Sequence, residues 1–211
     1  EVDTRLRPSG AQGPIAVSLD AFDRYQHESA WTWEHMALAR ARVLHGPAEG
    51  RQALQDVIRG VLEMSRDPAK LRSDALEMRE NMARHKSAKG PLDVKLARGG
   101  LVDIEFITHY LQLRDHVALV PAIPDALAEL VEAGLLPHGI RAAHRALARF
   151  LVAARLLMPD GETPPDSARL VLASACECAD WTCLTDILTE SRQVVATAWA
   201  ATFGEQLEIA S

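Results

Sequence analysis

The sequence has no uninterrupted apolar run of the ~18 residues that a membrane-spanning helix needs. No positively charged segment followed by an apolar core opens it, so no secretory leader is read and a cytoplasmic location is expected. Positive charge is scarce. Lys and Arg number 23 against 29 Asp and Glu, a formal net charge of −6. That argues against a general nucleic-acid binder, which gathers basic residues on one face. Aromatics make up only 5% and cysteines number three. Cys176, Cys178 and Cys183 lack the Cys-x-x-Cys spacing of zinc sites and read as reduced, structural thiols. No His pair at four-residue spacing has a third ligand, so no zinc site is expected. Gly-x-Ser-x-Gly and a Walker-type phosphate loop are also missing.

Strand-like sequence is scarce too. The one segment that alternates is the opening EVDTRLRPSG. Extended, it would put Asp3, Arg5 and Arg7 on one face, and Pro8-Ser9-Gly10 would then turn the chain. No other segment suits it as a partner. Asp3 reads either as a metal ligand or as a strand-edge carboxylate paired with Arg5 or Arg7.

Everything after residue 15 reads as an all-α bundle. Ser18 is a good N-cap, and a helical run continues from it until Gly46-Pro47 stops it. Residues 48–65 carry Leu54, Val57, Ile58, Val61 and Leu62 as an i, i+3, i+4, i+7, i+8 stripe. Asp67-Pro68 starts another helix, with Asp as cap and Pro at the first position. AKGPLDVKLARGG, residues 88–100, breaks the pattern, and LVDIEFITHYLQLRDH resumes it. Further helices are expected at 125–134, 137–157, 166–177 and 181–205, with loops at Pro121–Pro124 and 159–165.

Two stretches hold chemistry-bearing residues. In DVKLARGGLVDIEF, residues 93–106, Gly99-Gly100 leads into a helix. Glycines let a backbone approach a ligand, and a helix N-terminus favours an anion. Lys95 and Arg98 add positive charge. The alternative is a structural turn. Asp103 and Glu105 sit two residues apart, ~200° around a helix. They should therefore point to opposite sides, one into a cleft and one onto an arginine of the bundle. In WTWEHMALARARV, Trp31 and Trp33 read as core or interface anchors. Arg40 and Arg42 read as solvated, salt-bridged or phosphate-binding.

Together EVDTRLRPSG, AWTWEHMALARARV and DVKLARGGLVDIEF resemble the bacterial glutamine synthetase adenylyltransferase (glutamate–ammonia-ligase adenylyltransferase) family, over residues 1–115. The wording of the first two blocks resembles the family's C-terminal, adenylylating half. The resemblance implies that residues 1–14 are a strand remnant of a nucleotidyltransferase domain and residues 15–211 the helical bundle domain behind it. In that family AMP passes from ATP to a tyrosine of glutamine synthetase, and pyrophosphate leaves. Mg²⁺ and ATP are the implied cofactors. Glutamine synthetase and the PII signalling protein are the implied partners, in the regulation of nitrogen metabolism. Asp3 matches the third metal-binding carboxylate. By position in the motifs, Arg5, Arg7, Lys95, Gly99, Gly100, Asp103 and Glu105 are expected to face the nucleotide. The family's Gly-Ser and Asp-x-Asp motif is not in this sequence, so this stretch alone is not expected to transfer nucleotides. The face that would meet a sheet is expected to be exposed and prone to self-association. The competing reading is a non-catalytic helical module that docks glutamine synthetase or PII.

Overall fold

The structure, a computed structural model, describes residues 7–157 and 164–209. The predicted strand therefore lies almost wholly outside the described residues, and with it Asp3 and Arg5. The turn expected at its end is present. The Gly10 N–H donates to the Arg7 carbonyl at 2.8 Å, and Ser9 and Gly10 both have positive φ.

Among the described residues the chain forms nine α-helices and no strand: α1 (Leu19–Glu28), α2 (Thr32–Leu38), α3 (Ala48–Leu62), α4 (Pro68–His85), α5 (Leu101–Asp115), α6 (Ile123–Glu132), α7 (Gly139–Leu157), α8 (Asp166–Ala175) and α9 (Trp181–Phe203). The predicted caps hold. Ser18 Oγ accepts from the Ala21 N–H, and Asp67 Oδ1 accepts from the Ala69 N–H just ahead of Pro68.

The single run expected between Ser18 and Gly46 is instead two short helices. The Ser29 and Ala30 amides both donate to the Tyr25 carbonyl, which ends α1. Trp31 is then extended, and its N–H is taken by Glu34 Oε2 at 2.9 Å, which starts α2. A buried knot ties this corner down. His35 lies between the Gln26 carbonyl at 2.9 Å and Arg66 Nη2 at 3.3 Å. The same guanidinium donates to the Val61, Leu62 and Met64 carbonyls and so closes the C-terminus of α3. Burial, more than Arg66, lowers the His35 pKa.

α5 is the axis of the bundle. From Leu101 to Leu113 every residue except Glu105 is buried, and α5 touches α2, α4, α6, α7 and α9. A helix that is apolar nearly all round belongs in a core. Tyr110 of α5, Phe203 and Trp199 form an aromatic run, with ring centroids 4.7 and 4.3 Å apart. Cys178 is buried, whereas Cys176 and Cys183 are half-buried; all three are free thiols. Burial first, then the neighbouring Cys183, pushes the Cys178 thiol up to about 11.

Two charges sit inside this core. Arg79 of α4 and Asp103 of α5 are 1% and 0% exposed, with Nε 2.5 Å from Oδ1. Arg79 Nη2 also donates to the Leu96 carbonyl at 3.1 Å, and Asp103 Oδ2 accepts from the Gly99 N–H at 2.6 Å. Removing one member of such a pair strands the other charge in a dry interior. Asp103→Ala is therefore expected to cost about 3–5 kcal/mol in urea or thermal denaturation. Glu105→Ala, two residues along but half-exposed, should cost less than about 1 kcal/mol. Equal losses for the two variants would contradict this reading of the core.

Candidate functional site

Two of the three sequence blocks line one cavity of about 530 Å³. Arg7 and Pro8 line it from the first block, Trp33 and Arg40 from α2 and its C-terminal turn, and Phe22 and Gln26 from α1. The third block arrives through an ion pair, Arg40 Nη1 to Glu105 Oε2 at 3.3 Å. Both partners are partly exposed, so the pair is weak and the guanidinium remains available to an incoming anion. One carboxylate, Glu34, also lines it, and its oxygens accept from the Tyr25 hydroxyl and the Trp31 N–H. Aromatic and aliphatic walls with two guanidiniums suit an anionic ligand that carries a flat apolar part. The Gln26 side chain is buried, and its Oε1 has no hydrogen-bond partner among the described residues. Arg7 Nε donates to the Gly13 carbonyl at 3.3 Å, which holds that side chain across the turn.

The 4- and 3-residue spacing of Trp33, Ala37 and Arg40 already puts them along one helix face, and all three line the cavity. Neither tryptophan is a core residue: Trp31 is 71% exposed and Trp33 43%. Ile15 and Leu44 add exposed apolar surface in the same N-terminal part of the chain.

The Gly99-Gly100 turn does not offer its amides to a ligand. The Gly99 N–H donates to Asp103, Gly100 to the Ala97 carbonyl, Leu101 to Val94, Val102 to Lys95, and both Asp103 and Ile104 to Gly100. Every N–H of the helix start is spent inside the protein. Close backbone approach is real, but the backbone that approaches is the protein's own. A Cβ on Gly100 would lie 2.5 Å from the Val94 carbonyl oxygen, and one on Gly99 would lie 2.7 Å from that of Arg192. Gly99 also has a φ of +78°.

Asp103 and Glu105 diverge as their ~200° separation requires, and Asp103 is sealed against Arg79 rather than open to a nucleotide. Arg98 is paired with Glu80 at 2.6 Å. Lys95 is exposed and does not line the cavity. Of the expected nucleotide-facing set, then, Arg7 lines the cavity and Glu105 reaches its wall through Arg40. Lys95, Gly99, Gly100 and Asp103 do not line it. Among the described residues no group of three or more His, Cys, Asp and Glu side chains could hold a metal ion. The expected Mg²⁺ therefore finds no ligand set in the described helices.

Residues 1–57 match the family model described as glutamate-ammonia ligase adenylyltransferase. Residues 70–158 match the one described as GlnD PII-uridylyltransferase. The chain is 39% identical over 209 residues to the bifunctional glutamine synthetase adenylyltransferase/adenylyl-removing enzyme of Xanthobacter autotrophicus, covering 93% of this chain and 21% of that protein. It is 39% identical over 213 residues to the same enzyme of Bradyrhizobium diazoefficiens, covering 95% and 21%. It is 53% identical over 113 residues to that of Rhodopseudomonas palustris, covering 54% and 11%. The chain belongs to the glutamine synthetase adenylyltransferase family. It spans about a fifth of the length of the longest-aligned of these relatives, and the likeness runs well beyond residue 115, into the helices that the motifs alone did not reach.

One more buried group borders this site. His109 of α5 is buried, and its pKa is lowered to about 4, first by that burial, with the nearby Arg40 charge adding to it against the opposing Gln112 hydrogen bond. Gln112 is held by its own Nε2, which donates to the Ala118 and Val120 carbonyls. Its Oε1 therefore faces His109 Nδ1, 2.8 Å away, and the proton belongs on that nitrogen. Nε2 is left without a partner among the described residues. The folded pKa lies below the unfolded value of ~6.5. Stability is then complete above pH ~6.5 and falls as pH drops towards ~4, by about 3 kcal/mol from this group. Denaturant titrations of His109→Gln at pH 7 and pH 4.5 should show a smaller acid loss than the unaltered protein. In the same assay at pH 7, Gly100→Ala should be destabilised by more than about 1 kcal/mol.

Proposed function

We propose that this chain is the helical part of an adenylyltransferase that transfers AMP from ATP to a tyrosine of glutamine synthetase. In that reading it carries the last strand of the catalytic sheet at its start and belongs to the adenylylating half of the enzyme. The observation that carries the proposal is the meeting of Arg7, Trp33 and Arg40 around one cavity, with Glu105 paired to Arg40. The cavity then forms the helical side of the nucleotide site. Arg7 and Arg40 meet phosphate oxygens, since a guanidinium matches their geometry and carries a permanent charge. Trp33 and Phe22 cover the flat part of the nucleotide. Asp3, and with it Mg²⁺, belongs to the catalytic sheet. The metal supplies charge neutralisation at the phosphates when bound, and no step is assigned to it through the helices. PII is proposed as a regulatory partner, on the strength of the PII-uridylyltransferase match over residues 70–158.

The test is kinetic and uses the full-length enzyme. Arg40→Ala should raise the KM for ATP by about tenfold, the worth of one charge-assisted hydrogen bond of ~1.5 kcal/mol. Its thermal midpoint should stay unchanged, because the Arg40–Glu105 pair is exposed. Unaltered KM and kcat would remove the cavity from the nucleotide site. A loss of glutamine synthetase binding with ATP kinetics intact would favour the docking-module reading, in which the exposed Trp31 and Trp33 meet the substrate protein.

A further inference from the structure

A second groove lies towards the other end of the chain, on α7. It encloses about 710 Å³ between α7 and residues of α6 and α8. Arg141, Arg145 and Arg149 line it at four-residue spacing, one turn apart along one face of α7. Val152 and Leu156 continue the same wall. Among the described residues no carboxylate lines it, and α7 itself contains none between Gly139 and Leu157. That is unusual in a chain with a net charge of −6. Arg141 and Arg145 have no ion-pair partner among the described residues, while Arg149 holds the exposed Glu177 at 2.6 Å. Burial lowers the His144 pKa and keeps that ring neutral, so the arginines alone set the charge.

The apolar part is equally unprotected. Leu156 is 79% exposed and Val152 61%, and Leu170 and Val171 on the neighbouring α8 are exposed as well. From Arg141 to Leu156 the face is about 22 Å long. One end is positive and the other apolar, along a groove rather than a bulge.

We propose that this α7 groove docks an acidic amphipathic helix of a partner protein, with its carboxylates on Arg141, Arg145 and Arg149 and its apolar residues on Val152 and Leu156. Charge complementarity selects the occupant. Three arginines in register with helical turns match carboxylates at four-residue spacing on a facing helix. A second copy of this chain, itself acidic overall but basic at this groove, would have to bring another face to it. A lipid surface suits a convex apolar face, whereas this one is concave. The exposed Arg149–Glu177 pair is a weak surface contact and yields to a partner carboxylate. The groove is separate from the nucleotide cavity, so this proposal stands whether or not the adenylyl-transfer reading does.

The probe is a fluorescein-labelled peptide of about 16 residues with Glu at every fourth position and Leu on the adjoining face. It is titrated by anisotropy with the full-length protein at low salt, and the Gln-for-Glu peptide is the control. The Glu peptide should bind at least about tenfold tighter than the Gln peptide, and raising the salt several-fold should erase the difference. Arg141→Glu/Arg145→Glu should lose binding by at least about tenfold at an unchanged circular-dichroism spectrum, and a Lys-for-Glu peptide should restore it. Val152→Ser/Leu156→Ser should weaken both peptides alike. Equal binding of Glu and Gln peptides, or indifference to the arginine reversal, would overturn the proposal. So would preferential binding to phosphatidylserine vesicles, or a homodimer that Leu156→Ser dissociates.

Discussion

The buried pair between Arg79 and Asp103 is the constraint on which the centre of this bundle depends. Two full charges in a dry core are tolerable only when each is completely met. Here the meeting groups come from different parts of the chain. Arg79 on α4 binds Asp103 on α5 and the Leu96 carbonyl of the turn between them. Asp103 closes that turn by taking the Gly99 N–H, and Arg192 of α9 donates to the Arg98 carbonyl. One carboxylate thus welds α4, the Gly-Gly turn and α5, while Arg192 adds α9. The glycines are a consequence of this geometry, since neither position has room for a side chain.

That weld bears on function. It holds the N-terminal turns of α5 in register, so that Glu105, on the opposite side from Asp103, reaches Arg40. The residue that faces inward is buried on Arg79, and the one that faces outward pairs with an arginine of the cavity wall.

Most of the fold was legible in the sequence. Caps and stripes told the positions of α3 to α9 closely, because Ser, Asp-Pro and Gly punctuation acts locally. The break between α1 and α2 was hidden, because it rests on Glu34 reaching back to the Trp31 amide within an otherwise helical pattern. The centrality of α5 is hinted at by its apolar content, but which helices surround it is a tertiary fact. At the site, the divergence of Asp103 and Glu105 came from helix geometry alone. In the sequence, Gly99-Gly100 is open between a ligand approach and a structural turn. A glycine pair before a helix looks the same whether a phosphate or a carbonyl approaches it, and what packs here is the Val94 carbonyl against Gly100 and the Arg192 carbonyl against Gly99. The shared face of Trp33 and Arg40 is legible from their helical spacing, whereas the arrival of Arg7, far back in the sequence, on the same wall is a tertiary fact.

The measurement that tests this account most directly is amide hydrogen exchange at Gly99, Gly100 and Leu101, in the full-length protein with and without ATP. If the turn is closed by the buried Asp103, these amides exchange only through global unfolding, equally slowly in both conditions. Rapid exchange without nucleotide that slows on adding ATP would mean that the turn is an open phosphate cradle, and would contradict the account at its centre.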